Sequence, residues 1–287
     1  MRSLICVVLA VFCSTNYCYS QSKSFKKLAA DLNNLTDIYG NLMPFQISQV
    51  ALKDYGLTAA DFTETYVQFL SQDKDSVDVS TLQDYLKIKI AQKLDQLTAH
   101  KDFGTFDLSK LLTISYIKSP DSKLYNFIYD ENTGGTYQSR VPYIYYIGQK
   151  GKHPEDFYHN DGYNSIIPLQ TGGGLRYILS GTVTGCGTCQ RQYIKVVHYK
   201  DGLPIEDFDY TLDVRAGMDN SIDYNIEDKT ITVHYFTDDL AQYCQCNDGD
   251  TKYNDDALDT VHQCTCVFKF NGSTFELVSK KDLPFKN

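Results

Sequence analysis

No tryptophan occurs among the 287 residues, and arginine occurs only five times. The first absence weakens any case for sugar rings stacked on aromatic platforms, where an indole is the largest available face. The second goes with an acidic balance of 36 Asp and Glu against 27 Lys and Arg, a net charge of -9. Such a chain lacks the basic footprint of a nucleic-acid binder and is repelled by anionic lipid. Catalytic signatures are missing as well: there is no G-x-S-x-G elbow, no H-E-x-x-H, and no two histidines at i, i+4. Thr171-Gly172-Gly173-Gly174 lacks the G-K-[ST] ending of a phosphate loop and reads as a turn. Long apolar runs are absent too. The run Leu4 to Phe12 has nine residues, less than half of the roughly 20 that span a bilayer, so no membrane span is expected.

That short run has a different use. Met1-Arg2 places a positive charge before it, and Cys18-Tyr19-Ser20 puts small residues at −3 and −1 of a cut before Gln21. Together they predict a signal peptide over residues 1–20, removed near Ser20 to leave a secreted or periplasmic chain. A buried first helix and a lipid-anchor signal are the rival readings. Bulky Phe12 and Tyr17 precede Cys13 and Cys18, where lipidation wants a small residue.

Two periodicities divide the rest. Over 21–105 the spacing is helical. Phe25, Leu28, Ala29, Leu32, Leu35 and Ile38 form one stripe, punctuated by Gly40 and Pro44. A second helix is expected from Leu57, with Thr58 as cap and Asp61 closing a capping box. Asp73 to Asp78 reads as a loop, and Ser80 or Thr81 as the cap of a third helix through Leu82, Leu86, Ile90, Leu94 and Leu97. Over 106–287 the period falls to two, in short Tyr-rich segments. Asp201-Gly202 and Asn271-Gly272 lie between segment pairs, a strong hairpin signal. The expected fold class is α+β: a helical region followed by an antiparallel β-meander domain, as a sandwich, barrel or propeller-like array, braced by disulfides.

The bracing comes from six cysteines beyond the signal: Cys186, Cys189, Cys244, Cys246, Cys264 and Cys266. An even number in an exported chain points to disulfides. Cys244-Gln245-Cys246 and Cys264-Thr265-Cys266 each place two sulfurs on one strand face. A single antiparallel hairpin aligns Cys244 with Cys266 and Cys246 with Cys264 at once, at separations a disulfide spans. Cys186 then pairs with Cys189 by elimination. The rivals are a closed zinc centre of cysteine ligands and a C-x-x-C redox pair; the latter lacks the helix N-terminus that activates a thiol. Neither zinc nor calcium is favoured as cofactor. The oxygen-rich stretch Asn247 to Asp256 invites calcium, but lacks EF-hand spacing and reads as a solvated hairpin tip. Asp238-Asp239 is a poor acid/base pair, because adjacent strand residues face opposite ways. His198 and His234 read as packed or edge histidines.

Ser119-Pro120-Asp121-Ser122-Lys123-Leu124, with Ile128-Tyr129-Asp130-Glu131-Asn132-Thr133-Gly134-Gly135-Thr136 after it, resembles a pattern in uncharacterised secreted α+β proteins of Bacteroidetes-type bacteria. There the run is approximately S-P-D-G-K-L, then I-Y-x-W-D-T-G-x-G-G-T. Ser122 stands here for the glycine, and the tryptophan is absent. The resemblance spans about residues 115 to 280 and implies an exported β-rich domain without an established activity. The residues themselves direct attention to Thr133, Gly134, Gly135 and Thr136 with Arg140, a scarce cation beside a Gly-rich loop suited to a carboxylate or phosphate; a plain hairpin turn is the structural alternative. The expected function is a non-enzymatic binding or interaction module for an extracellular or periplasmic protein or glycan. A secreted hydrolase, or an inhibitor of one, is the alternative.

Overall fold

The computed structural model describes residues 23–42, 49–62, 64–131, 139–150, 157–215, 219–237, 244, 246 and 261–284. The signal segment, the Thr133–Thr136 loop, Asp238-Asp239 and the Asn247–Asp256 stretch lie outside them.

The apolar stripe from Phe25 forms helix α1 (Lys23–Gly40), which buries Phe25, Ala29, Leu32 and Tyr39 along one side. Helix α2 (Val79–Ala99) buries Leu82, Leu86, Ile90, Leu94 and Leu97 and packs against α1. Neither is long and apolar enough to cross a membrane, nor is any other helix among the described residues. Three cap-forming residues crowd the start of α2, and Asp78 takes the role expected of Ser80 or Thr81. Its Oδ1 accepts the Thr81 N–H at 2.9 Å, and its carboxylate also holds the Ser80 and Thr81 hydroxyls. The helix expected from Leu57 is reduced to a 3-10 turn (Ala59–Asp61) and one helical turn (Glu64–Val67). The capping pair is nonetheless formed, with the Thr58 N–H donating to Asp61 at 2.7 Å. Part of the expected 73–78 loop is strand: β2 (Ser76–Asp78) pairs antiparallel with β1 (Gln49–Ala51).

Asp78 carries a pH dependence. Burial works to raise its pKa, but hydrogen bonds from Ser80 and Thr81 outweigh burial and hold it below the ordinary aspartate value. A carboxyl lowered by folding stabilises above its unfolded pKa, and that contribution is lost as pH falls through the folded pKa. Asp78→Ala is therefore expected to cost about 1 kcal/mol at about pH 7, with the gap to the parent closing towards about pH 3. Urea unfolding at both pH values measures this; an equal gap at both contradicts the capping role.

The remaining strands form three open antiparallel sheets. Sheet I holds β3 (Ser115–Lys118), β4 (Leu124–Asp130) and β5 (Arg140–Tyr146). Sheet II runs β6 (Ser165–Thr171), β7 (Gly174–Cys186), β8 (Cys189–Lys200) and β9 (Leu203–Arg215). Sheet III runs β10 (Ser221–Asn225), β11 (Thr230–Thr237), β12 (His262–Phe270) and β13 (Phe275–Pro284). Among the described residues no sheet closes on itself, so none of these sheets is a barrel. At the Asp201-Gly202 hairpin both residues have positive φ, +55° and +81°, as a tight two-residue turn requires.

Alternation along the strands assigns each face a neighbour. Tyr125, Phe127 and Tyr129 of sheet I join the helices in one core. The opposite face, through Leu124, Ile144 and Tyr146, meets Tyr177, Leu179, Tyr193 and Val197 of sheet II. The other side of sheet II, through Ile178, Ile194, Val196 and Leu212, meets Ile231, Val233, Tyr235 and Phe268 of sheet III. Four layers result: helices, sheet I, sheet II and sheet III.

The cysteines correct the expected pairing. The bonds are Cys244–Cys264 and Cys246–Cys266, with Cα atoms 5.2 and 5.6 Å apart, not Cys244–Cys266 and Cys246–Cys264. The expectation needed the 244–246 segment as a ladder partner of β12. Both edges of β12 are already taken, by β11 and β13. Cys264 and Cys266 instead point out of the sheet plane into the buried core, where Cys244 and Cys246 meet them. Such a face-on contact carries no antiparallel index rule. Cys244, Cys264 and Asp282 bring ligand atoms within 4.8 Å of one another, but two of those atoms are the sulfurs of one disulfide and offer no thiolate. In the tight β7–β8 turn the backbone register sets Cys186 opposite Cys189, and Cys189 is disulfide-bonded.

Candidate ligand cleft

A difference in strand length creates the cleft. β7 has thirteen residues and its neighbour β6 has seven, so β7 and β8 outrun β6 at one end. Backbone groups on the vacated edge of β7 need other partners. Asn164, just before β6, supplies them: its N–H donates to Ser180 O at 2.7 Å, and its Oδ1 accepts the Thr182 N–H at 3.1 Å. Arg140 completes the set by donating from Nη2 to Thr182 O at 2.8 Å.

Arg140 is held from behind as well. It opens β5 opposite Asp130 in the register, and its backbone N–H donates to Oδ1 of buried Asp161 at 3.1 Å. Asp161 belongs to the His159–Gly162 turn, closed by the Gly162 N–H donating to His159 O. Gly162 has φ +67°, and a Cβ there would lie 2.9 Å from the Pro142 side chain. Both facts require glycine. Tyr193 braces the turn by donating from its hydroxyl to Gly162 O at 2.6 Å. Its ring lies across the sheet in the space where a Cβ on Gly181 would stand, 2.3 Å from a ring carbon. The two glycines, Tyr193 and Asp161 thus fix the backbone from which the Arg140 side chain projects.

The cleft encloses about 650 Å³ between sheets I and II, within the usual range of small-ligand sites. Its polar wall includes Thr113, Ser115, Asp130, Arg140, Asn164 and Thr184; Ile128 and Val183 add apolar surface. Asp130 is the one carboxylate among the described lining residues, and no histidine, lysine or cysteine is among them.

Charge accounting sets Arg140 apart. Arg176 pairs with Asp207 at 3.0 Å, and Arg191 with Asp213 at 2.7 Å. Arg140 makes only the contacts given above and a long approach of 3.4 Å to Asn164 Oδ1. Among the described residues no carboxylate forms an ion pair with its guanidinium.

Among the described residues, three histidines outside the cleft hydrogen-bond aspartate carboxylates, one of them His262, whose Nδ1 lies 2.8 Å from Asp282. His198 Nδ1 lies 2.9 Å from Asp207, and His159 Nε2 lies 3.1 Å from Asp209. Neither has a serine, threonine or cysteine on its other ring nitrogen among the described residues, so neither pair continues to a nucleophile. His234 packs on the sheet III surface with Thr265 and Gln263. Sequence reasoning singled out Arg140 by its scarcity. It missed Asn164, Thr182 and Asp161, whose roles arise only once two strands of unequal length are paired. The Asp161-Gly162 turn was the one visible sign.

No protein-family model, curated protein or solved structure matches this chain.

Proposed function

We propose that this protein is an exported, non-enzymatic binding module whose ligand occupies the cleft at Arg140. The observation that carries the reading is a guanidinium that donates to Thr182 O beside Asn164, on a backbone held by Asp161, and that lines the cleft with no carboxylate paired to it among the described residues. Export is supported by the charged, nine-residue apolar start of the chain and by buried disulfides, which persist in oxidising compartments. Binding rather than turnover is supported by described lining residues that include one carboxylate and no nucleophile–base pair.

The test is a panel of soluble peptides and oligosaccharides, followed by thermal shift and by product analysis. Arg140→Gln, which keeps a donor for Thr182 O, is compared with Arg191→Gln at an exposed pair outside the cleft. A ligand whose binding drops with Arg140→Gln alone, and which is recovered intact, is the expected result. Ligands indifferent to Arg140, or cleaved on incubation, overturn the reading.

A further inference from the structure

Resting on that reading, we propose that the cleft receives the carboxyl-terminal end of an extended peptide, which continues the line of β6 along β7. In a strand, the N–H and C=O of one residue point to the same edge, and successive residues alternate. Thr182 directs both groups to the β6 side, where Asn164 and Arg140 meet them. Thr184, two residues on and in regular register with Gln190 before the irregularity between Thr184 and Cys186, therefore directs its N–H and C=O to the same side, and it lines the cleft. Among the described residues β6 has ended before this point, no other strand pairs with this edge, and β8 occupies the opposite edge of β7. A peptide amide fits this donor–acceptor pair, as in other strand-addition complexes.

Polarity then selects which end binds. β6 runs antiparallel to β7 and begins near Asn164. A peptide laid on its line in the same direction ends where β6 begins, with its last residue beside Asn164 and Arg140. A free α-carboxylate at that point meets a guanidinium with which no described carboxylate forms an ion pair. Asp130, opposite Arg140 in the register, makes the position unfavourable for a dianion, so a singly charged carboxylate is preferred over phosphate. Ile128 and Val183 offer apolar surface for a side chain.

The experiment uses the full mature chain and a randomised pool of N-acetylated hexapeptides, once as free acids and once as C-terminal amides. Inorganic phosphate and an oligogalacturonate are the comparison probes. Amide resonances of Thr182 and Thr184 are followed by NMR, and affinities are taken from the titrations. The free-acid pool is expected to shift both resonances and to bind at least about tenfold tighter than the amide pool. That preference should vanish in Arg140→Gln. Arg191→Gln, at the exposed pair with Asp213 outside the cleft, should leave it unchanged. Equal binding of acid and amide pools, or binding of neither, overturns the inference. Arg140-dependent binding of the oligogalacturonate alone also overturns it, while leaving the proposed binding module standing. Loss of Arg140 dependence for every probe defeats both.

Discussion

Asp207→Ala is expected to lower the unfolding free energy by about 3–5 kcal/mol, the cost of leaving a buried charge without its partner. The side chains of Arg176 and Asp207 are 8% and 9% exposed, with Arg176 Nε 3.0 Å from Asp207 Oδ2. The N–H does not point along that line, so the contact is an ion pair rather than a directed hydrogen bond. Further support comes from the Thr171 hydroxyl, 2.6 Å from Arg176 Nη1, and from the Phe270 ring 5.5 Å from the guanidinium carbon. A bulge between Val196 and Val197 sets Asp207 between the residues opposite them, Glu206 and Phe208, where its carboxylate reaches Arg176. The variant removes the anion and leaves the cation beneath the β12–β13 hairpin. Urea unfolding should show a lower midpoint with an unchanged slope. Arg176→Met combined with Asp207→Leu should recover most of the loss, because an apolar pair needs no counter-ion. A single-variant loss below about 1 kcal/mol would show that water reaches the pair.

The disulfides carry the other large effect. Each closes a loop of sequence separation 20, so a chain lacking both should be less stable by about 3 kcal/mol. The two bonds close nearly the same loop, and removing one should cost much less than half of that sum. Cys244→Ser with Cys264→Ser should leave Cys246–Cys266 intact and no free thiol from these four residues. Cys244→Ser with Cys266→Ser should instead leave two thiols that titrate in denaturant. The reverse pattern would restore the in-plane pairing.

Much of the architecture was legible because burial imposes a period. Phe25, Ala29 and Leu32 announced α1, and Leu82 through Leu97 announced α2. Asp201-Gly202 announced its hairpin because few residue pairs tolerate two positive φ values. Other elements had weaker signals. β6 contains Pro168, which argues against a central strand but is tolerated on an edge, where β6 lies. β10 has five residues with little apolar alternation, and it is also an edge. The cysteine spacing showed that paired sulfurs share a face, and they do. It could not show whether a partner comes from within the sheet or from above it. The cleft was least legible. Arg140 stood out by rarity, but its meaning depends on β7 outlasting β6, a comparison between strands that no local window contains.

The layers also stack in the order in which the chain is made. Helices from 23–99 meet sheet I from 115–146, which meets sheet II from 165–215, which meets sheet III from 221–284. Each new sheet finds its docking surface already present in the preceding chain, and no layer waits for a later segment to be threaded into it. A chain emerging amino terminus first can therefore assemble by accretion, one slab upon the last. Until the next slab arrives, the newest sheet shows a bare apolar face. For a chain stopped after sheet II, that face is the one bearing Ile178, Ile194 and Leu212. Chains interrupted between sheets are thus the ones this topology leaves most prone to aggregate.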